Sequence, residues 1–427
     1  MKRTTISVAT VLVTLLTLSY IFSFALTDAV KADSTIINSA HGYAFAGYAA
    51  IPAGSSNVAY GPIAELWFGC SNRVTQLNSG VANLSLGSYA NTGNAQTSIT
   101  TSQAATSATV QTVASLQNVN VLSGLITAKQ LQVEVASTIT ATDATSAVEN
   151  ASFSGLTIAG KAFNTTPGPN TTVQIANLGY VVLNETGLTS GANYTYAGSN
   201  MIDLHVAVVN SQGLPIGARI IIGQVNSSQQ RLAQPTVVDA HSYGVDATAQ
   251  SGSNSVSTTP AAPANLSCTG GYAQNGAAST SSQQVGSVGT INDTVSGQIN
   301  SSGTTVTGAS NVANPNLLGG LVKGSQVTAT ANASWNNTGS GSASTDLTNM
   351  TIDGIPASKS PAANTRVSLL GLGYVILNEQ TSSVNSSGAT ETVNAIDIYI
   401  TQTNLFGIQI GTQIILGHAT ASAFSLR

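Results

Sequence analysis

Leu372-Gly373-Tyr374-Val375-Ile376-Leu377-Asn378-Glu379 is present twice in this chain, the first time as Leu178-Gly179-Tyr180-Val181-Val182-Leu183-Asn184-Glu185. The spacing is 194 residues, and the match extends to both sides without a gap. Upstream, Thr351-Ile352-x-Gly354 and Asn364-Thr365 repeat Thr157-Ile158-x-Gly160 and Asn170-Thr171. Downstream, Asn394-x-Ile396-Asp397 and Ile410-Gly411-x-x-Ile414-Ile415-x-Gly417 repeat Asn200-x-Ile202-Asp203 and Ile216-Gly217-x-x-Ile220-Ile221-x-Gly223. Between residues 351–417 and 157–223, 24 of 67 positions are identical. One module therefore occurs twice, and the rest of the chain is read around that repeat.

Inside the module the apolar residues alternate. Ile202, Leu204 and Val206 are separated by Asp203 and His205, and Ile396, Ile398 and Ile400 by Asp397 and Tyr399. Leu131, Val133 and Val135 alternate with Gln132 and Glu134; Val327, Ala329 and Ala331 alternate with Thr328 and Thr330. Period two marks half-buried strands. The short continuous runs 180–183 and 374–377 predict strands covered on both faces. Glycines fall between strands: Gly160 and Gly354 at turns, Gly217 and Gly411 before Ile-rich strands, Gly179 and Gly373 where a turn or bulge with positive φ is needed. Helical periodicity is absent beyond the N-terminus. The polar runs 91–108 and 250–264 predict loops or exposed strands with long connections. The expected fold is all-β, two tandem antiparallel β-sandwich modules after an N-terminal signal or anchor helix. A β-solenoid is disfavoured because no period of about 20 residues recurs within a module.

The expected division is a signal peptide or membrane anchor over 1–32, module one over 33–225, a polar linker over 226–235 and module two over 236–427. Lys2-Arg3, the apolar run 6–26 and Val30-Lys31-Ala32 predict a cleaved leader with the mature start near Asp33. An uncleaved span is the alternative. Either way the chain is expected to be exported, with the membrane involved only through this segment. No C-terminal anchor or sorting motif is read in residues 423–427.

Charged residues make up 7% of the 427, against about 25% in an ordinary soluble protein. Net charge is only -4, so nucleic acid is excluded as an expected partner. Mean hydropathy of +0.19 argues for a folded chain with an uncharged polar surface, not for disorder. Few charges also leave few acids and bases for catalysis. Glu185, Glu379, Asp203 and Asp397 are the acids kept in both copies. A carboxylate pair in each module fits a glycosidase or a calcium site in principle. The plainer reading is a turn glutamate and a solvated strand aspartate. His41, His205, His241 and His418 show no zinc spacing. His41 and His241 open equivalent Ala-His-x-Tyr segments. No phosphate loop, dinucleotide fingerprint or nucleophile elbow occurs. Asn-x-Ser/Thr sequons are frequent through composition. No cofactor is expected.

Cys70 and Cys268 lie 29 and 27 residues after His41 and His241, so they read as equivalent positions. They are a candidate disulfide in an oxidising compartment, with two free buried thiols as the alternative. Trp335 ends a strand and is the candidate ligand contact, with Tyr194 as a further aromatic. Trp67 and Phe68 read as core.

The order of motifs resembles the choice-of-anchor P family of bacterial exported proteins. In module two the resemblance rests on Leu317-Leu318-Gly319-Gly320-Leu321-Val322, the Val-Thr-Ala strand, Thr351-Ile352-Asp353-Gly354, Pro361-Ala362-Ala363-Asn364-Thr365, 373–380 and Ile415-Leu416-Gly417-His418-Ala419. Module one matches more loosely, through Val121-Leu122-Ser123-Gly124-Leu125-Ile126-Thr127-Ala128, Asn170-Thr171 and Val182-Leu183-Asn184-Glu185. The resemblance implies a surface or secreted protein of Gram-positive-type bacteria with no established activity, though the expected C-terminal anchor is not seen. The functional expectation is a non-enzymatic structural or adhesive protein of the cell envelope or extracellular matrix. Its expected partners are cell-wall or extracellular polysaccharide or other surface proteins, with self-association an extension. A carbohydrate-binding module is the rival, and a secreted hydrolase using Glu379 and Asp397 the third reading.

Overall fold

In the computed structural model the residues described are 36–426, apart from 54–55, 252–253, 258–259 and 283–284. The expected leader helix over 1–32 lies outside them. The described chain is all-β, with one short 3-10 turn at Leu318–Gly320. No described helix is long and apolar enough to cross a membrane.

Each half builds a seven-stranded antiparallel sheet in the same order. In the first half the order is Thr171–Ile175, Gly179–Ser190, Tyr194–Val206, Arg219–Arg231, Asn38–Ala53 and Ser56–Ile63, with Leu66–Ser71 also on Asn38–Ala53. In the second it is Thr365–Leu369, Gly373–Asn385, Gly388–Ile400, Gln413–Ser425, Thr236–Ser251 and Asn254–Ser257, with Ala264–Asn265 also on Thr236–Ser251. Against these lie a nine-stranded sheet in the first half and a five- and a six-stranded sheet in the second. Among the described residues no sheet spans both halves.

The alternating apolar side chains meet between the layers. Val181, Leu183, Ile202, Leu204, Ile220 and Ile222 share one core with Ala114, Leu116, Leu131, Val133 and Val135. Val375, Leu377, Ile396, Ile398, Ile414 and Leu416 share a second with Val327, Ala329, Ala331 and Leu347. Burying a residue of this size stabilises the fold by roughly 1.5–3 kcal/mol. The covering layer is continuous in the first half because Ser107–Val121 runs unbroken. In the second half Asn314 (φ +46) and Pro315 separate Gly303–Ala313 from Asn316–Leu317. Proline has no N–H to give a ladder, so the layer divides into two sheets there.

Several expectations change. Residues 226–231 are not linker but the end of Arg219–Arg231, paired with Asn38–Tyr43. Only 232–235 connect the halves, and Leu232 is buried with Cys70, Val237 and Leu426. The polar run 91–108 contains the strand Ala95–Gln103, whose Thr97, Ile99 and Thr101 are buried. Small hydroxyl residues hide a strand pattern because they suit either face. Residues 180–183 and 374–377 alternate buried and half-buried, so only one of their faces is core.

The histidine equivalence also fails. Tyr43 pairs with Asn226 and His241 with Thr420, positions one repeat apart. Tyr43 is thus the counterpart of His241, and His41 of Asp239, which pair with Ser228 and Ser422. The Ala-His-x-Tyr match is offset by two residues. A shift of two keeps every side chain on its own face, so alternation cannot reveal it.

Candidate functional site

The polar groups gather on the face of the seven-stranded sheets turned away from the cores. In the second half, Glu379, Asn394, His418 and Tyr243 are cross-strand neighbours on four adjacent strands. Neighbours in such a row touch directly. The Asn394 amide donates to Glu379 Oε2 at 2.9 Å and to Asp397 Oδ2 at 3.0 Å. The Tyr399 hydroxyl bridges the same two carboxyls, at 3.0 and 3.2 Å. Gln413 Nε2 reaches Asp397 Oδ2 at 2.7 Å.

The network continues through Asn394 Oδ1 to His418 Nδ1 at 2.6 Å. Because the amide nitrogen of Asn394 is spent on carboxyls, its oxygen accepts and His418 carries its proton on Nδ1. His418 Nε2 is then an acceptor, 3.0 Å from His241 Nε2 and 3.2 Å from the Thr420 hydroxyl. Its ring stacks on Tyr243 at 4.4 Å and on His241 at 4.9 Å.

Electrostatics follow from burial. Asp397 is 0% exposed, and burial together with the Glu379 carboxyl pushes it up to about 9. Burial and then His241 push His418 down to about 3, and burial lowers His241. Burial and the two carboxyls raise the Tyr399 phenol. Around neutral pH this is a network of uncharged rings around a buried, protonated Asp397.

The first half places Glu185, Asn200, Asp203 and His205 at the corresponding positions but adds a cation. Arg219, the counterpart of Gln413, donates from Nε to Asp203 Oδ1 at 2.8 Å and Oδ2 at 3.1 Å, and also from its terminal nitrogen to Oδ2. Its guanidinium lies 3.9 Å from Glu185, whose Oε2 accepts from Asn200 at 2.7 Å. His205 sits 3.2 Å from Asp203 and stacks on Tyr180 at 4.7 Å. Burial works to raise Asp203, but Arg219 outweighs it and holds the carboxyl below its usual range. Burial raises Glu185.

Asp203 and Asp397 are fully buried, which corrects the expectation of solvated strand aspartates. The two carboxyls of each module do come together, but neither pair lines a described cavity. A groove of about 590 Å³ runs over Asn78, Asn94, Gln96, Ser98 and Ser115. A pocket of about 240 Å³ lies among Ile352, Ile355, Pro361 and Val367. No group of three His, Cys, Asp or Glu among the described residues is placed to hold a metal.

The remaining candidates are scattered. Cys70 and Cys268 form a disulfide with Cα atoms 5.3 Å apart. The 198-residue shift between them also carries Tyr43 paired with Trp67 onto His241 paired with Asn265, so the cysteines are equivalent positions. Trp335 packs on the second core and gives its indole N–H to the Ser386 carbonyl at 2.9 Å, so it is not a free platform. Trp67, expected in the core, is 51% exposed and meets His41 edge-on at 5.8 Å. Phe68 is half-buried against Ile99 and Val110. Tyr194 is exposed.

Sequence reasoning missed Tyr399, Gln413 and Arg219. The available signal was the repeat itself, because Arg219 and Gln413 occupy the same place between Ile216-Gly217 and Ile220-Ile221 and between Ile410-Gly411 and Ile414-Ile415. No protein-family model matches the chain, and no curated protein matches it either.

Proposed function

We propose that this chain is an exported, non-enzymatic structural protein of the bacterial cell surface or matrix, made of two β-sandwich modules held as one body. The observation that carries this reading is the disulfide between equivalent positions of the two halves. Such bonds form and persist in oxidising compartments, which agrees with the leader read over 1–32. The duplicated uncharged β surface suits contact with wall polymer or with other surface proteins, and the resemblance to the choice-of-anchor P family points the same way. Long uncharged edge strands such as Thr75–Val81 offer a route to self-association by strand addition.

Fractionating cells that express the chain tests the proposal. The protein is expected in medium or wall fractions, oxidised, and running faster on a gel without reductant than with it. Cytoplasmic, reduced protein overturns it.

The groove over Asn78, Asn94, Gln96, Ser98 and Ser115 favours one second reading, binding of a neutral polysaccharide. Asn78→Ala with Gln96→Ala is expected to abolish any retention on wall glycan, while Trp335→Ala leaves it unchanged. Wild-type protein that is not retained removes this reading.

A further inference from the structure

The repeat supplies its own control for the carboxyl pairs. Glu185 with Asp203 and Glu379 with Asp397 sit in the same strands at the same register. Asn200 and Asn394 hold the glutamates in the same way, at 2.7 and 2.9 Å. His205 and Tyr399 both stand 3.2 Å from the aspartate Oδ2. Two positions differ, His205 against Tyr399 and Arg219 against Gln413, and the second removes a guanidinium. The first half fills the site with the Arg219 guanidinium, whose Nε binds Asp203 Oδ1. The second half has Gln413 there, and its amide reaches only Oδ2. Asp397 Oδ1 is left fully buried without a partner. A buried carboxyl oxygen without a hydrogen-bond partner is costly.

We infer that Glu379 and Asp397 hold a divalent cation, Ca²⁺ by its chemistry, in the place where the first half puts its own guanidinium. The built-in cation between the equivalent carboxyls of the first half carries this independently of the acidic pair, and the orphaned Asp397 Oδ1 marks the carboxyl that lacks the counterpart of that cation. Binding displaces the Asp397 proton, and the two carboxylates then balance the double charge. Gln413 Oε1, after rotation of its amide, and Tyr399 Oη add neutral oxygens. Ca²⁺ accepts such mixed, irregular oxygen sets, whereas Mg²⁺ demands near-octahedral order. Glu379 is only half-buried, so water has access to complete the shell from that side.

Terbium luminescence tests the site, since Tb³⁺ replaces Ca²⁺ and is excited through nearby tyrosine. The purified protein, stripped with chelator at pH 8, is expected to give saturable emission that Ca²⁺ displaces. Asp397→Asn and Gln413→Arg are each expected to abolish it, and Ca²⁺ is expected to raise the melting temperature of wild type but not of Gln413→Arg. The arginine variant copies what the first half accommodates, so it decides the matter if Asp397→Asn does not fold. No saturable emission from wild type, or an unchanged titration in Gln413→Arg, overturns the inference.

Discussion

Asp293 shows how much a single side chain depends on its surroundings. It faces inward between Ile291 and Val295, is 0% exposed, and lies opposite Ser310. The matching position in the first half is Thr97, whose hydroxyl donates to the Ala64 carbonyl at 2.6 Å. Burial pushes Asp293 up to about 7. Its folded value is above its unfolded one, so its contribution to stability is complete below about pH 4 and is lost as pH rises through 7. Asp293→Asn is expected to recover about 2–4 kcal/mol at pH 8 and almost nothing at pH 4. Urea unfolding at the two pH values measures this, and equal shifts at both would refute it.

Glycine positions separate by the same kind of comparison. At Gly373 (φ +154) an added Cβ would stand 2.0 Å from the Tyr399 carbonyl oxygen, whereas at Gly354 (φ +77) it would meet open space. Gly354→Ala therefore costs only the strained backbone, about 1–2 kcal/mol. Gly373→Ala must also push two strands apart and is expected to cost about 3 kcal/mol or more. Chemical denaturation of the pair checks the ranking.

At the scale of elements, the repeated pair Asn210 and Asn404 makes loops rather than sites. Asn404 Oδ1 accepts from Phe406 N at 3.1 Å and Ile408 N at 3.2 Å, while its amide donates to Gln402 O at 3.2 Å and Ile408 O at 2.8 Å. Asn210 repeats this pattern around Leu214. Asn side chains replace absent backbone partners in such turns. Asn404→Ala is expected to cost about 1–2 kcal/mol and to speed hydrogen exchange in 401–412, while 207–218 stays as protected as before. Faster exchange in both loops would contradict this.

These loops also show what a sequence exposes. Strand alternation, the turn glycines and the duplication were all legible, because each rests on local geometry repeated twice. The register of His241 was not, since a two-residue offset leaves the pattern intact. Burial of Asp203 and Asp397 was not legible either. Alternation puts them on the outward face correctly, but it does not reveal that His205 or Tyr399, two residues on, and Arg219 or Gln413 from the neighbouring strand pack against them. The cysteine equivalence could be read from spacing, while the bond itself needed the distance between strands.

At the scale of the whole molecule, the bond between Cys70 and Cys268 closes a loop of 198 residues. The chain-entropy argument assigns a loop of that length about 5 kcal/mol, with strain and residual structure reducing it. Cys70→Ser with Cys268→Ser is expected to lower stability by about 2–5 kcal/mol while leaving both cores folded. Calorimetry on the variant checks this: one transition moved down, or two where wild type has one, agrees, and an unmoved single transition does not.

The same neighbourhood gathers both ends of the described chain. The Ile37 carbonyl accepts from Leu232, Leu426 donates to the Pro235 carbonyl, and Asn72 donates to the Leu426 carbonyl. Consider a pull applied between residues 36 and 426. Strands outside the covalent loop can peel away, but the loop itself carries none of the tension and cannot be drawn out. Fully extended it would add ~650–700 Å of reach, a slack that no force short of breaking a covalent bond releases and that a reductant sets free.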